Sequence, residues 1–358
     1  MRNAILSNTM SEEKARRYVI FGAGAIGGAL AVLLKRSGLR VICVARPAQA
    51  EALRRGISFT RGDEESIERI EAVSAARELR PASGDVIILT VKSQATEAAI
   101  EEMAAVYADT TPLVCLQNGV TNEEVAARQF KAVYAALVFF SATQMTPDRI
   151  LMTRGRSIAI GCYPEGVDAT ARQISEDFHQ SGFEAMASVH AMAMKWSKFV
   201  INLNNATYAI TGYYVEPGAA DAEMRRLLAD VREEGLRVLD AAGIAVEPPP
   251  DEPSLIRVRA LHEKAKAPPP DPDRLMNLAE SERTYPSMWQ DLELGRATGE
   301  ADYLNGVLVE LGRRHGIATP YNSTLLEVVN RMFTEGRRPG LYTPAELRAL
   351  VESHDLAR

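Results

Sequence analysis

Cysteine is scarce: Cys43, Cys115 and Cys162 are the only three in 358 residues. They lie far apart, no CxxC occurs, and the number is odd. That pattern excludes a disulfide framework and a cysteine metal site. Cys43 and Cys115 fall inside apolar, strand-like runs, and all three read as reduced thiols of a cytoplasmic protein. The five histidines show no metal-ligand spacing. Long hydrophobic runs are also missing. None approaches the roughly 20 residues that span a bilayer, so no membrane partner is expected. The opening stretch MRNAILSNTMSEEKARR is polar and mixed in charge, without the apolar centre of a secretion signal. Residues 1–16 read as a loose leader in which Met10 is a candidate start. Basic charge is in deficit: 41 Lys and Arg stand against 47 Asp and Glu, a net charge of −6. No basic field exists for nucleic acid.

What remains is an ordinary globular composition, 46% hydrophobic and 25% charged, long enough for two domains. Its most informative stretch is Tyr18 to Gly28, YVIFGAGAIGG. A short apolar run leads into Gly22-x-Gly24-x-x-Gly27, and an apolar helical pattern (Ala29, Leu30, Val32, Leu33, Leu34) follows at once. Strand, glycine turn and helix form the context of a dinucleotide-binding fingerprint. Gly22 would allow the tight turn, Gly24 the approach of a pyrophosphate, and Gly27 close helix–strand packing. Ala25 and Ile26, between the glycines, would line the same loop. The helix N-terminus would offer N–H groups and a positive dipole end to the phosphates.

Strand and helix alternate from residue 17 to about 135. Strands are expected at Arg40–Ala45, Asp85–Val91, Pro112–Leu116 and Lys131–Phe139, with a helix at Ala95–Tyr107. DVIILTV is unbroken and apolar, as a strand buried on both faces should be. The alternation predicts a parallel, doubly wound sheet. Residues 147–162 read as short antiparallel strands. After about residue 190 helical patterns take over, at 191–212, 218–243, 300–315 and 320–335. The expected organisation is a nucleotide-binding domain at 17–188 and a helical domain at 189–358. A proline-rich insertion at 246–273 reads as a surface excursion, with a short helix Ser254–Lys264 between two proline clusters.

A site specific for NAD usually carries an acid at the end of the second strand. Here that strand ends Val44-Ala45-Arg46. The missing acid and the guanidinium both favour a 2′-phosphate, hence NADP(H). Lys92 and Asn118 each follow a strand, where ligands bind in such sheets, although either could be a plain loop residue.

In MKWSKFVINLNNA (194–206), Lys198, Asn202 and Asn205 fall at i, i+4 and i+7, one polar stripe on an otherwise apolar helix. A lysine there meets either a fixed anionic partner or a substrate. Lys195, three residues earlier, is a second candidate that could equally be a snorkelling surface lysine. Ser287 precedes a helix-like run. Glu300 lies near a helix start, where an acid also compensates the dipole.

Taken in order, GAGAIGG (22–28), VKSQAT (91–96), LQNGVTNEE (116–124), KWSKFVINLNNA (195–206) and the segment 285–322 resemble the ketopantoate reductase (2-dehydropantoate 2-reductase) family, from residue 17 to about 335. The resemblance implies a Rossmann domain followed by an all-helical domain like that of 6-phosphogluconate dehydrogenases. It implies NADPH-dependent reduction of ketopantoate to pantoate, on the route to pantothenate and coenzyme A. Lys198 looks like the catalytic lysine, with Glu300 beside it. Asn118, Asn202, Ser287 and Glu300 look like substrate-site residues, and Arg46 and Lys92 like binders of the 2′-phosphate side. Some members carry a second asparagine eight residues past the lysine; this chain has Ala206 there, with Asn204 and Asn205 close by. The family includes dimers, and the helical domain offers apolar surface for a homodimer. The rival readings are a reductase of another 2-oxo acid, an opine-type dehydrogenase, and a non-catalytic NADP-binding sensor.

Overall fold

The computed structural model describes residues 16–248, 267, 269–279 and 283–356. All but the last residue of the expected leader, the helix expected at Ser254–Lys264 and most of the insertion around it lie outside the described residues. The chain divides into two compact units. One runs to Met192, apart from Asn118–Thr121; those four residues belong with the other, which continues from Ala193.

The first unit contains β1 (Arg17–Phe21), α1 (Ala25–Arg36), β2 (Arg40–Val44), α2 (Pro47–Arg55), β3 (Ile57–Arg61), β4 (Glu64–Glu68), β5 (Glu71–Val73), β6 (Asp85–Leu89), α3 (Thr96–Ala104), β7 (Leu113–Cys115), α4 (Asn122–Ala127), β8 (Val133–Thr146), β9 (Arg149–Cys162), α5 (Ala169–Gln180) and β10 (Glu184–Ala187). One sheet takes the order β4-β3-β9-β8-β7-β6-β1-β2-β5, and β10 also pairs with β9. Phe21 stands beside Val44 on one side and Leu89 on the other, so the carboxyl ends of three parallel strands finish level. The sheet order turns at β1, and a ligand is expected at such a switch point.

β6 is buried along its whole length. Val86 and Ile88 join the core on one face with Tyr18, Ile20 and Leu30. Ile87 and Leu89 join the other with Val19, Ile42 and Ile100. This is the two-faced burial that an unbroken apolar run anticipates. At its start Asp85, 2% exposed, accepts from Arg17 Nε (2.8 Å) and Tyr107 Oη (2.9 Å), tying the first strand down.

The sheet is mixed rather than parallel. β3 and β4 pair antiparallel, as do β8 and β9. The short strands expected over 147–162 are one 14-residue strand, and the strand expected at Lys131–Phe139 runs on to Thr146. The long hairpin bends through register shifts. Gly155 sits at one of them with φ +69°, where a Cβ would strike the Phe139 carbonyl. β3, β4, β5 and β10 escape a reading of apolar runs because none exceeds five residues; β4, at the end of the sheet order, is also largely polar, as edge strands tend to be.

The second unit has no strand among its described residues. Its helices are α6 (Ala191–Asn202, starting at the boundary), α7 (Asn204–Thr211), α8 (Val215–Ala220), α9 (Ala222–Ala241), α10 (Pro272–Met276), α11 (Ser287–Glu293), α12 (Asn305–His315), α13 (Pro320–Thr334) and α14 (Pro344–Leu356). Three expected helices are divided. The helix at 191–212 is interrupted at Leu203, which keeps right-handed helical angles; its carbonyl accepts from Asn305 Nδ2 at 3.0 Å. A side chain meeting the ladder is a regular cause of such a break. The helix at 218–243 is split by Asp221, whose extended backbone and carboxylate cap α9 through Met224 N–H at 2.7 Å. The helix at 300–315 begins as a 3₁₀ turn, Ala301–Tyr303, before α12. Glu234, fully buried, accepts from Tyr321 N–H (3.0 Å) and Asn322 N–H (2.8 Å), capping α13 from inside.

Candidate active site

The first unit supplies a turn shaped for a dinucleotide. Gly22 has φ +102°, and a Cβ there would lie 2.7 Å from Val91 N. A side chain is therefore barred twice, by conformation and by space. A Cβ on Gly27 would collide with the Gly22 carbonyl and Thr90 Oγ1, so only glycine lets α1 approach this closely. Gly24 is different: it is exposed, and a Cβ on it would meet nothing nearer than Gln144 Oε1 at 4.0 Å. It caps α1 without a side-chain hydrogen bond, and the first helical turn holds no acid. Half-buried Ala25 and Ile26 open that helix. The open cradle, the positive helix end and the absent acid fit a pyrophosphate.

The residues expected at the adenosine end lie beside the neighbouring strands. Gly22 N–H donates to the Val44 carbonyl at 2.9 Å, placing Arg46 two residues beyond that contact. Arg46 is exposed, precedes α2, and makes no side-chain hydrogen bond or ion pair among the described residues. Lys92 is half-buried and caps the 3₁₀ turn Ser93–Ala95 that follows β6.

The second unit supplies the polar helix. Lys198 on α6 is half-buried as a residue, yet its ammonium is packed closely enough to lose hydration. Burial, joined by the charge of Lys195, lowers its pKa from 10.5 to about 8, while Glu300 pulls the other way. Lys195 is 3% exposed and Glu300 7%. Lys195 is thus a buried group and not a snorkelling one. Asn202 closes α6, buried, with its Nδ2 lacking any hydrogen-bond partner among the described residues. Such a donor has uncompensated capacity for a ligand. Asn205, on α7, donates from Nδ2 to Ser287 Oγ at 3.4 Å, at the start of α11. Glu300 stands immediately before the 3₁₀ turn. Asn118, half-buried, opens the four-residue turn after β7 that belongs with this unit.

Two contributors carry no motif of their own. Thr90 Oγ1 donates to the carbonyls of Phe21 (3.2 Å) and Gly22, pinning the glycine turn from β6. Gln117 Nε2 bonds the Val91 carbonyl (2.9 Å) and Thr96 Oγ1 (2.7 Å), tying the loop after β7 to the loop bearing Lys92. A polar residue flanking a strand end was the only available signal. Cys43 and Cys115 are buried and form no disulfide among the described residues, and burial pushes the Cys43 thiol up to about 12. No group of residues able to hold a metal occurs among the described residues.

Two family models match the chain: Ketopantoate reductase PanE/ApbA over residues 18–165, and its C-terminal counterpart over residues 190–333. A 2-dehydropantoate 2-reductase of Archaeoglobus fulgidus is 27% identical over 318 residues, covering 88% of this chain and 97% of its own. A solved PanE/ApbA family ketopantoate reductase from Ralstonia eutropha superposes with TM-score 0.74 at 25% identity, covering 89% and 99%. D-Mandelate dehydrogenase, solved with NADH and anilino(oxo)acetate, shares the fold with TM-score 0.76 at 21% identity and the same coverage.

Proposed function

The chain belongs to the ketopantoate reductase family, and from that premise we propose that it reduces 2-dehydropantoate to pantoate with NADPH, Lys198 serving as the general acid. The observation that carries this reading is a desolvated lysine whose pKa is brought to about 8 between one like and one opposite charge. An ordinary lysine releases its proton too reluctantly near neutrality; one brought close to the working pH transfers it readily.

The bound dinucleotide would supply the hydride. Gly22, Gly24 and Gly27, with Ala25 and Ile26, cradle its pyrophosphate, and Arg46 and Lys92 take the 2′-phosphate side. As negative charge grows on the substrate's carbonyl oxygen, the Lys198 ammonium stabilises it and delivers the proton. Ser287 bonds the substrate carboxylate. Asn118, Asn202 and Asn205 orient substrate and lysine. Glu300 accepts from the terminal hydroxyl of 2-dehydropantoate, and an analogue without that hydroxyl leaves a buried carboxylate unmatched.

Lys198→Ala tests the assignment. Turnover should fall by about 10²–10⁴-fold, while NADPH affinity, followed by fluorescence, stays near wild type. Unchanged turnover overturns the role. One observation favours a second reading, reduction of another 2-oxo acid: Ala206, at the position where some family members have an asparagine, is fully buried and apolar. NADPH oxidation with 2-dehydropantoate against a panel of 2-oxo acids decides between them by kcat/KM.

A further inference from the structure

α6 holds two lysines at i and i+3, on neighbouring points of one helical face, with Cβ atoms roughly 5–6 Å apart. The turn between them is pinned. Ser197 Oγ donates to the carbonyls of Ala193 (3.1 Å) and Glu247. Glu247 N–H returns a bond to the Ala193 carbonyl at 3.2 Å. Trp196 packs edge-on against Phe199, ring centroids 5.1 Å apart. The residues flanking and separating the lysines are therefore fixed, and so is the spacing of the two side-chain roots. Water cannot screen the pair well, because Lys195 is buried almost entirely.

Building on the reading of Lys198 as the acid, we propose that Lys195 is a positioning residue that acts through Lys198: its positive charge keeps the Lys198 proton loosely held, ready for transfer to the substrate oxygen near neutral pH. The charged groups acting on Lys198 are Lys195, from its own helix, and Glu300, ahead of the 3₁₀ turn. They work in opposite senses. Glu300 alone would hold the proton more tightly and make a poorer acid. Burial loosens the proton most, and the second ammonium adds to it, as a neighbouring cation does for lysines activated in other enzymes. In the step itself, the hydride that the bound dinucleotide would supply, itself being oxidised, adds to the carbonyl carbon, and the C=O π pair passes to oxygen. The N–H bond of Lys198 breaks as the new O–H forms, and the neutral amine recovers a proton from water.

The test is the pH dependence of kcat/KM for 2-dehydropantoate reduction in the wild type, Lys195→Met and Lys195→Arg. In Lys195→Met the alkaline limb should move up by on the order of one pH unit, with turnover at pH 7 reduced roughly threefold or more. Lys195→Arg, which keeps the charge, should leave the limb where the wild type has it. A limb unmoved in Lys195→Met, or moved in Lys195→Arg, overturns the proposal; the arginine variant alone decides if the methionine variant fails to fold. Lys198→Ala separates the two readings. If it retains turnover, the assignment of the acid fails. If it loses turnover while Lys195→Met leaves the limb in place, only the role of Lys195 fails.

Discussion

At the scale of single residues, the buried ammonium of Lys198, the acid of the proposed function, bears on stability through one proton. In the folded chain it releases that proton near pH 8, and at its ordinary value, 10.5, once unfolded. Between these values the unfolded chain holds more protons, so stability rises with pH there. The cost of burying the ammonium is full below about pH 8 and gone above 10.5. Lys198→Met should therefore melt at a higher temperature than wild type at pH 7, with the gain vanishing as pH approaches 10.5; thermal melts across that range check it. Gain of stability with loss of turnover is the usual trade at a buried catalytic group, the role proposed for Lys198. The spacing of Lys198 and Asn202 on one helix was legible, while Asn205 falls on α7 beyond the interruption at Leu203. The burial of Lys195 was not, since a lysine beside a tryptophan suits a helix surface as well as an interior.

At the scale of elements, local chemistry explains most starts and stops. β6 was legible because five consecutive apolar or capping residues leave no exposed face. β4, EESIE, was not, because an edge strand is held by backbone pairing to one neighbour and needs no apolar run. The split at Asp221 is hidden from periodicity because the apolar positions continue through it; only the cap geometry stops the helix. Replacing Asp221 with Ala removes the acceptor for Met224 N–H. A loss of about 1 kcal/mol is expected, read as a lower urea midpoint, with kcat and the KM for NADPH unchanged. The interruption at Leu203 likewise depends on Asn305, about a hundred positions further along, and no local pattern announces it.

At the scale of the whole molecule, a Rossmann-type α/β unit is followed by an all-helical unit, and no described helix is long and apolar enough to cross a membrane. A ligand that binds only the folded nucleotide unit stabilises it by mass action, about 2.7 kcal/mol at a hundredfold excess over Kd. NADPH should thus raise the melting temperature more than NADH at equal concentration. In Arg46→Ala that difference should shrink, because the guanidinium proposed to pair with the 2′-phosphate is gone. Differential scanning calorimetry with each nucleotide checks both. Equal shifts in the wild type would remove Arg46 from cofactor selection.

The sequence by itself determined the alternation of strand and helix, the glycine turn, the arginine in place of an acid, and the placement of Lys198 and Asn202 on one helix. Each is a matter of neighbours within one or two turns of chain, where periodicity and steric limits act directly. Tertiary structure alone decided the long β8–β9 hairpin, the membership of Asn118–Thr121 in the second unit, the burial of Lys195, and the effect of Glu300 on Lys198. Those depend on which distant segments exclude water from a group, and desolvation and charge act through space rather than along the chain.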